Sequence, residues 1–445
     1  MGGSESGSES DDEYAKLIRR MNPPRVVIDN DACENATVIK VDSENKQGLL
    51  LEVVQVLTDL NLVVTKAYIS SDGCWFMDVF NVTDREGMKI TDESIIKYLH
   101  KSIETDACFR PSLKSSVGVM PSKEHTSIEL TGPDRPGLLS EVCAVLTNLK
   151  CNIVNAEIWA HNSRTAAVVC VTDESTGCAI DDPHRLSIIK ELLSNVLSVN
   201  NDSRSAKMAV SMGVTHTERR LHQMMFADRD YENVGDNKTL RPQVVLLDCL
   251  EKDYTVVMLR SKDRPKLLFD TLCTLTDMQY VVFHGTVDTG RMEAYQEYYI
   301  RHVDGLPIRS EAERQRVTQC LEAAIERRAS EGLELELRTN DRVGLLSDIT
   351  RIFRENGMHI RRAEISTEGG MAVDSFHVTD MLGNPVEAKA IESVCKQIGQ
   401  TALRVRQCPE APSPKPPEET LTSFLLGNFL KACSFQTFGL IRSYS

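Results

Sequence analysis

An α+β protein built from one unit repeated four times is the fold class this sequence predicts, and three observations predict it. The first is a turn that recurs with changes of detail. It reads Gly132-Pro133-Asp134-Arg135-Pro136-Gly137-Leu138-Leu139, Ser261-Lys262-Asp263-Arg264-Pro265-Lys266-Leu267-Leu268 and Thr339-Asn340-Asp341-Arg342-Val343-Gly344-Leu345-Leu346, with a fainter copy at Glu44-Asn45-Lys46-Gln47-Gly48-Leu49-Leu50. Each follows a short β-rich run and opens an apolar helical pattern, so one module fills most of the chain. The second observation is spacing. Nineteen residues after Gly48, Gly137, Lys266 and Gly344 come Ala67, Ala156, Gly285 and Ala363, all tiny. Thirty-six residues after Gly48, Gly137 and Gly344 come Asp84, Asp173 and Asp380, each closing a Val-Thr-Asp triplet. The third copy has Val303-Asp304-Gly305 there, as if its hairpin were two residues longer. The third observation is the order in which strand and helix periodicities alternate.

That order is clearest in the second copy. Residues 127–131 alternate apolar and polar side chains, as a half-buried strand does. After the turn, with Pro136 suited to the first turn of a helix, Leu138, Leu139, Val142, Val145, Leu146 and Leu149 fall on one helical face. Residues 152–159 read as a second strand, 160–163 as a hairpin into 165–171, 183–197 as a second helix and 207–210 as a last strand. The order β-α-β-β-α-β is the ferredoxin-like split unit, two helices over one face of a four-stranded antiparallel sheet. The tiny residue then lies on the second strand, where the first helix is expected to cross closely. Elsewhere, first helices are read at 49–60 and 345–354, second helices at 95–103 and 311–327, and hairpin turns at Asp72-Gly73, Thr289-Gly290 and Gly369-Gly370.

A longer repeat is also present. Val26 precedes Gly48 by the same interval as Val244 precedes Lys266, and each sits in an extra strand-like run. This implies two tandem halves, each an extra strand plus two modules, with the four modules arranged as two pairs. The third copy has little room for its own last strand before Leu333, so the strand near Val244 is expected to complete its sheet. The organisation read from the chain is a disordered acidic N-terminus at 1–23, modules at 24–120 and 121–212, a linker at 213–241 and modules at 242–330 and 331–406. A Pro-rich disordered spacer at 407–420 and an apolar segment at 421–445 follow. Residues 217–226 read as a short helix packed between the halves.

Composition narrows the function. The 445 residues carry a formal charge of −14, with 41% hydrophobic and 26% charged residues. Such a surface disfavours phosphate-dominated nucleic-acid binding and anionic membranes, so no nucleic-acid partner is expected. No apolar run approaches the ~20 residues needed to cross a bilayer, so no transmembrane segment is expected. The acidic, Ser-rich start fits neither a signal nor a transit peptide. Thirteen cysteines without a Cys-x-x-Cys pair read as reduced thiols, which places the protein in the cytoplasm or nucleus. The ten histidines do not cluster with cysteines, so no metal and no cofactor are expected.

The recurring turn carries the candidate site. A Gly turn at a helix N-terminus exposes backbone N–H groups and the positive end of the helix dipole, which suits a small carboxylate. Asp134 or Asp341 is placed to cap the helix or accept from a ligand ammonium, and Arg135 or Arg342 to pair a carboxylate. The same residues also suit an ordinary helix start, with Asp and Pro before the helix and Gly in the turn.

With Asp-Arg-Pro-Gly-Leu-Leu at the first turn and Cys151-Asn152-Ile153 on the second strand, the module resembles an ACT domain. Four copies without a catalytic domain, one with the variant Asp263-Arg264-Pro265-Lys266-Leu267-Leu268-Phe269-Asp270, resemble the plant ACT-domain-repeat family over 24–406. The terminal Phe438-Gly439-Leu440-Ile441-Arg442-Ser443-Tyr444-Ser445 resembles that family's tail. The resemblance implies amino-acid binding and regulation, with the effector lined by the turn and by a polar residue opening the second strand. Carried over, this selects Asp134, Arg135, Pro136, Gly137 and Asn152 in the second copy. In the fourth it selects Asn340, Asp341, Arg342 and Gly344, with His359 where Asn stands in the second. The first copy lacks Asp-Arg-Pro and has Val63 at the Asn position. The third has Lys266 for Gly and Val281 for Asn, so these two serve pairing rather than binding.

The leading expectation is therefore a non-enzymatic sensor of a free amino acid, acting through an unidentified protein partner, with a homodimer through ACT pairing as a further possibility. The alternative is an ACT-based interaction scaffold without ligand. Bacterial uridylyltransferases carry tandem ACT domains, but no metal-binding carboxylate cluster, phosphate loop or nucleophile elbow is present in the sequence.

Overall fold

The computed structural model describes residues 25–44, 48–71, 75–104, 120–121, 124–198, 207–211, 213–214, 216–232, 242–249, 251–290, 293–328, 332–399 and 402–406. The readings at 1–23 and 407–445 and the turn at Asp72-Gly73 lie outside them.

Two antiparallel sheets of eight strands organise the chain. The first runs β1 (Arg25–Asp29), β2 (Thr37–Glu44), β4 (Trp75–Thr83), β3 (Val63–Ser70), β13 (Tyr280–Gly290), β14 (Glu293–His302), β12 (Tyr254–Lys262), β11 (Gln243–Cys249). The second runs β18 (Leu403–Arg406), β15 (Leu333–Asn340), β17 (Met371–Asp380), β16 (Met358–Glu368), β7 (Cys151–His161), β8 (Arg164–Asp173), β6 (Thr126–Pro133), β9 (Lys207–Ser211). A small pair, β5 (Met120–Pro121) with β10 (Gly213–Val214), stands apart.

The modules are therefore paired, but the pairs cross the sequence halves. The first module joins the third through β3 and β13, and the second joins the fourth through β7 and β16. The expected upstream strand is present: β11 closes the edge of the third module against β12, and β1 does the same against β2. In the second and fourth modules that edge is filled by the last strand instead, β9 beside β6 and β18 beside β15.

Helices cover one face of each sheet. On the first lie α1 (Leu49–Asp59), α2 (Glu93–Glu104), α6 (Leu267–Asp277) and α7 (Glu311–Glu326); on the second lie α3 (Leu138–Asn148), α4 (Pro183–Leu197), α8 (Leu345–Glu355) and α9 (Ala388–Ile398). Each pair of modules shares one core. Ile39, Leu57 and Phe80 are continuous with Leu272, Tyr298 and Val317. Ile128, Leu146 and Val171 are continuous with Leu337, Phe353 and Phe376. Burial of that shared apolar surface is the force that holds two copies together.

Every seam strand carries an irregularity at the same place, after Val64, Ile153, Val282 and Ile360. An extra residue there re-aims the side chain and strengthens the twist. The tiny residue follows two positions later. At Gly285, a Cβ would come within 2.9 Å of Tyr298 and 3.2 Å of Ile69 of the paired module. The module's own first helix, expected to cross here, is not among those neighbours; at Gly285 the partner copy and the adjoining strand set the size limit.

The linker helix α5 (Thr217–Ala227) lies on the face of the second sheet that α3 and α4 leave bare. Its Leu221, Met224 and Met225 pack on Trp159, Ala166 and Val168. On its other side α5 meets the third module, where Arg219 donates to Asp277 of α6. Around it runs a buried ionic network. Arg327, at the end of α7, donates to both oxygens of Asp230 at 2.7 and 2.6 Å, and His161 reaches the same carboxylate at 2.9 Å. Arg328 bonds Asp270 and Glu218 and lies 4.6 Å over the Trp159 ring. Burial works against the Asp230 carboxylate, but Arg327 and His161 outweigh it and hold its pKa below the usual range. His222 sits between Arg327 and Asp270. Burial lowers its pKa to about 4, so at neutral pH its Nδ1 accepts from Arg327 while Nε2–H donates to Asp270. Lys266, in the left-handed region at φ 65°, spends its ammonium on Glu218 of α5.

Candidate functional site

The turn before α3 differs in detail from its sequence reading. Pro136 is exposed and precedes the helix, because Gly137 adopts φ 83° and the first helical residue is Leu138. Leu138 N–H and Leu345 N–H turn back onto Arg135 O and Arg342 O, and no side chain caps the N–H groups that follow in the first turn of α3 or α8. Gly137 suits its backbone angle of φ 83°, and an added Cβ would stand 2.9 Å from Cδ of Arg354 on α8, so that side chain would have to shift.

Asp134 does not cap the helix. Its backbone N–H donates to Ser163 O at 2.9 Å, and its carboxylate turns into the seam. Oδ1 accepts from Thr165 Oγ1 at 3.1 Å. Oδ2 receives His359 Nε2 at 3.0 Å and Arg361 Nη1 at 2.8 Å, both from the fourth module. Arg361 is the residue at the β16 irregularity, which is why it reaches a site that strand alternation would deny it. Arg135 is held by Glu141 of the following helix α3, with Nη1 to Oε1 at 2.9 Å, and by Val196 O. The Arg135 guanidinium keeps the Glu141 carboxyl below its ordinary pKa.

A cleft opens here between α3, β8 and the start of β16. It is lined by Asp134, Arg135, Gly137, Thr165, Arg354 and His359 over an apolar floor that includes Leu130, Val142 and Met358. A second cleft repeats the geometry with the modules exchanged. Asp341, Arg342 and Gly344 of the fourth module face Thr147, Cys151 and Asn152 of the second, with Asp374 and Thr367 alongside. Asp341 accepts from Thr367 Oγ1 at 2.9 Å, and Arg342 is paired with Asp348. Gly344 has φ 78°.

The structure thus divides the residues that the sequence grouped by copy. Asn152 belongs with the turn of the fourth module, and His359 with the turn of the second. Asn340 is exposed at the end of β15 and, like Pro136, lines neither cleft. Arg354, Arg361 and Asp374 were missed. Arg354 reads as a solvated helix end, Arg361 depends on an irregularity, and Asp374 looks like one more polar residue on an alternating strand.

Asp374 is 2% exposed, and Ser366 N–H donates to its Oδ1 at 3.3 Å. Burial, with help from the neighbouring Asp341 charge, pushes its pKa up from 3.8 to about 7. A raised folded-state pKa means the native state holds this proton more tightly than the unfolded chain. The resulting stability is present below pH ~4 and is lost as pH rises through about 7, at up to ~1.4 kcal/mol per unit. Asp374→Asn is expected to flatten the loss of stability between pH 4 and 7 in urea titrations.

Among the described residues, no three His, Cys, Asp or Glu side chains group to hold a metal ion, and no helix is long and apolar enough to cross a membrane.

A family model for the ACR family N-terminal ACT domain matches residues 32–110, and the ACT domain model matches 126–192 and 334–396. The ACT domain-containing protein ACR4 of Arabidopsis thaliana is 62% identical over 98% of this chain and 99% of its own length. ACR6 of the same plant is 66% identical over 95% and 99%. A bifunctional uridylyltransferase/uridylyl-removing enzyme of Gluconobacter oxydans is 24% identical over 46% of this chain but only 20% of its own length.

Proposed function

Because the chain belongs to the ACR family of ACT-domain proteins, we propose that it is a regulatory protein without a catalytic domain that binds a free amino acid between its second and fourth modules. ACT domains are typical of amino-acid-binding regulation. The observation that carries the reading is the reciprocal cleft, in which a Gly turn from one module meets the opening of the seam strand of the other. Uncapped N–H groups at the start of α3 or α8 suit the ligand carboxylate, and an Asp of the turn suits its ammonium.

A ligand at a seam touches two modules at once, so it shifts the balance between their arrangements. The first cleft also has a route outward. Asp134 is bonded to Ser163 in the β7–β8 hairpin, and Asn162 and Arg164 of that hairpin hold Asp230 and Asp228 beyond α5. A protein partner in the cytoplasm or nucleus would read that change.

Thermal unfolding against each of the twenty amino acids tests the proposal. A ligand at a hundred times its Kd stabilises by about 2.7 kcal/mol. The expected result is a raised midpoint with one chemical class, lost in Asp341→Ala and in Asn152→Ala although these residues lie on different modules. No rise with any amino acid favours the scaffold reading. The observation behind that alternative is that Asp134 is already satisfied by His359 and Arg361 across the seam.

A further inference from the structure

The two clefts are related by the exchange of modules, yet their charges are opposite. Around the first stand Arg354 and His359, with Arg361 beside them, and Asp134 is hydrogen-bonded by His359 and paired with Arg361. The residues in the equivalent places of the second cleft are Thr147, Asn152 and Val154, which carry no charge. Where the first cleft has Ala167 in its wall, the second has Asp374. The turn arginines Arg135 and Arg342 line their own clefts and are each paired with a carboxylate of the following helix, Glu141 and Asp348. Beyond them, the first cleft has the cations Arg354 and Arg361, and the second presents two acidic groups, Asp341 and Asp374, with uncharged residues opposite.

We infer that the second cleft is the ligand site and that it takes an amino acid with a cationic side chain, the α-ammonium meeting Asp341 and the side-chain nitrogen Asp374, while the first cleft is a lock between modules. This rests on the amino-acid reading above. The ligand carboxylate is left to the N–H groups of Leu346 and Ser347 in the first turn of α8, which no side chain caps and which border this cleft. The proton affinity of buried Asp374 is what a carboxyl shows when its counter-charge is missing. Asp78 occupies the corresponding place in the first module and likewise accepts a backbone N–H, from Ser70 at 3.1 Å. An Asp here therefore has a share in strand geometry. Asp374 differs in lining a cleft beside a second carboxylate.

The test is calorimetric titration of the full chain with lysine, ornithine and arginine, against norleucine and methionine as uncharged ligands of similar length. Asp374→Asn keeps the acceptor for Ser366 N–H and removes the charge, so it is expected to fold. Lysine, ornithine or arginine is expected to bind at least tenfold tighter than norleucine, and Asp374→Asn to weaken that binding about tenfold or more while leaving norleucine within threefold. Equal affinity for charged and uncharged ligands, or basic-ligand affinity unchanged in Asp374→Asn, overturns the inference and leaves amino-acid binding standing. No heat and no midpoint shift with any amino acid overturns both.

Discussion

Arg327→Ala is expected to destabilise the protein by about 3–5 kcal/mol, because it leaves a fully buried carboxylate without its main counter-charge. Asp230 is 0% exposed and takes two bonds from Arg327, and the substitution leaves it with His161 and its local turn contacts. His222 loses its donor at the same time. The sign with pH follows from the depressed Asp230 pKa. In the native protein this carboxylate adds stability above the unfolded value near 3.8, and that stability is lost as pH falls. Without Arg327, burial dominates and the carboxyl takes up a proton more readily. The deficit should therefore be largest near neutrality and shrink in acid. Denaturant melts of Arg327→Ala and Arg327→Lys across pH check this. A surface pair would cost under ~1 kcal/mol and show little such dependence.

Phe353→Ala carries an effect of similar size through packing. Phe353 is fully buried on α8 and meets Phe376 edge-on at 5.1 Å between ring centres, inside the core that the second and fourth modules share. Truncating a buried Phe to Ala costs about 3–5 kcal/mol, partly through the cavity left behind. The neighbouring Arg354 and Thr350 line the first cleft, so the loss should also loosen the seam there. Urea unfolding gives the stability change, and hydrogen exchange on β7 and β16 reports the seam. Phe353→Leu fills most of the space and should recover most of the stability.

What the sequence reveals and what it hides divide along physical lines. The four modules, the βαββα order they share and the upstream strands near Val26 and Val244 are legible, because periodicity and turn chemistry are local. The asymmetric edge is legible too, from the lack of room before Leu333. Which module pairs with which is not, since seam strands such as β7 and β16 carry no partner label in their own residues. That is why Asp134 and Asn152, read as one site, fall into separate clefts. The ionic network is hidden for a related reason. Arg327 and Arg328 follow a helix rich in charge and resemble a solvated face; they are buried against Asp230 and His222 and against Glu218 and the Trp159 ring, where α5 packs. His161 reads as a hairpin residue, and it is one, but the hairpin is covered.

Pairing of the second module with the fourth inside one chain is the claim on which both clefts depend. Asn155 and Ser366 are direct partners across that seam. The deciding measurement is peptide mass mapping of an Asn155→Cys/Ser366→Cys variant treated with a short thiol cross-linker at low protein concentration. The expected result is a 155–366 link within monomers. A link found only between chains, or none, would contradict the account.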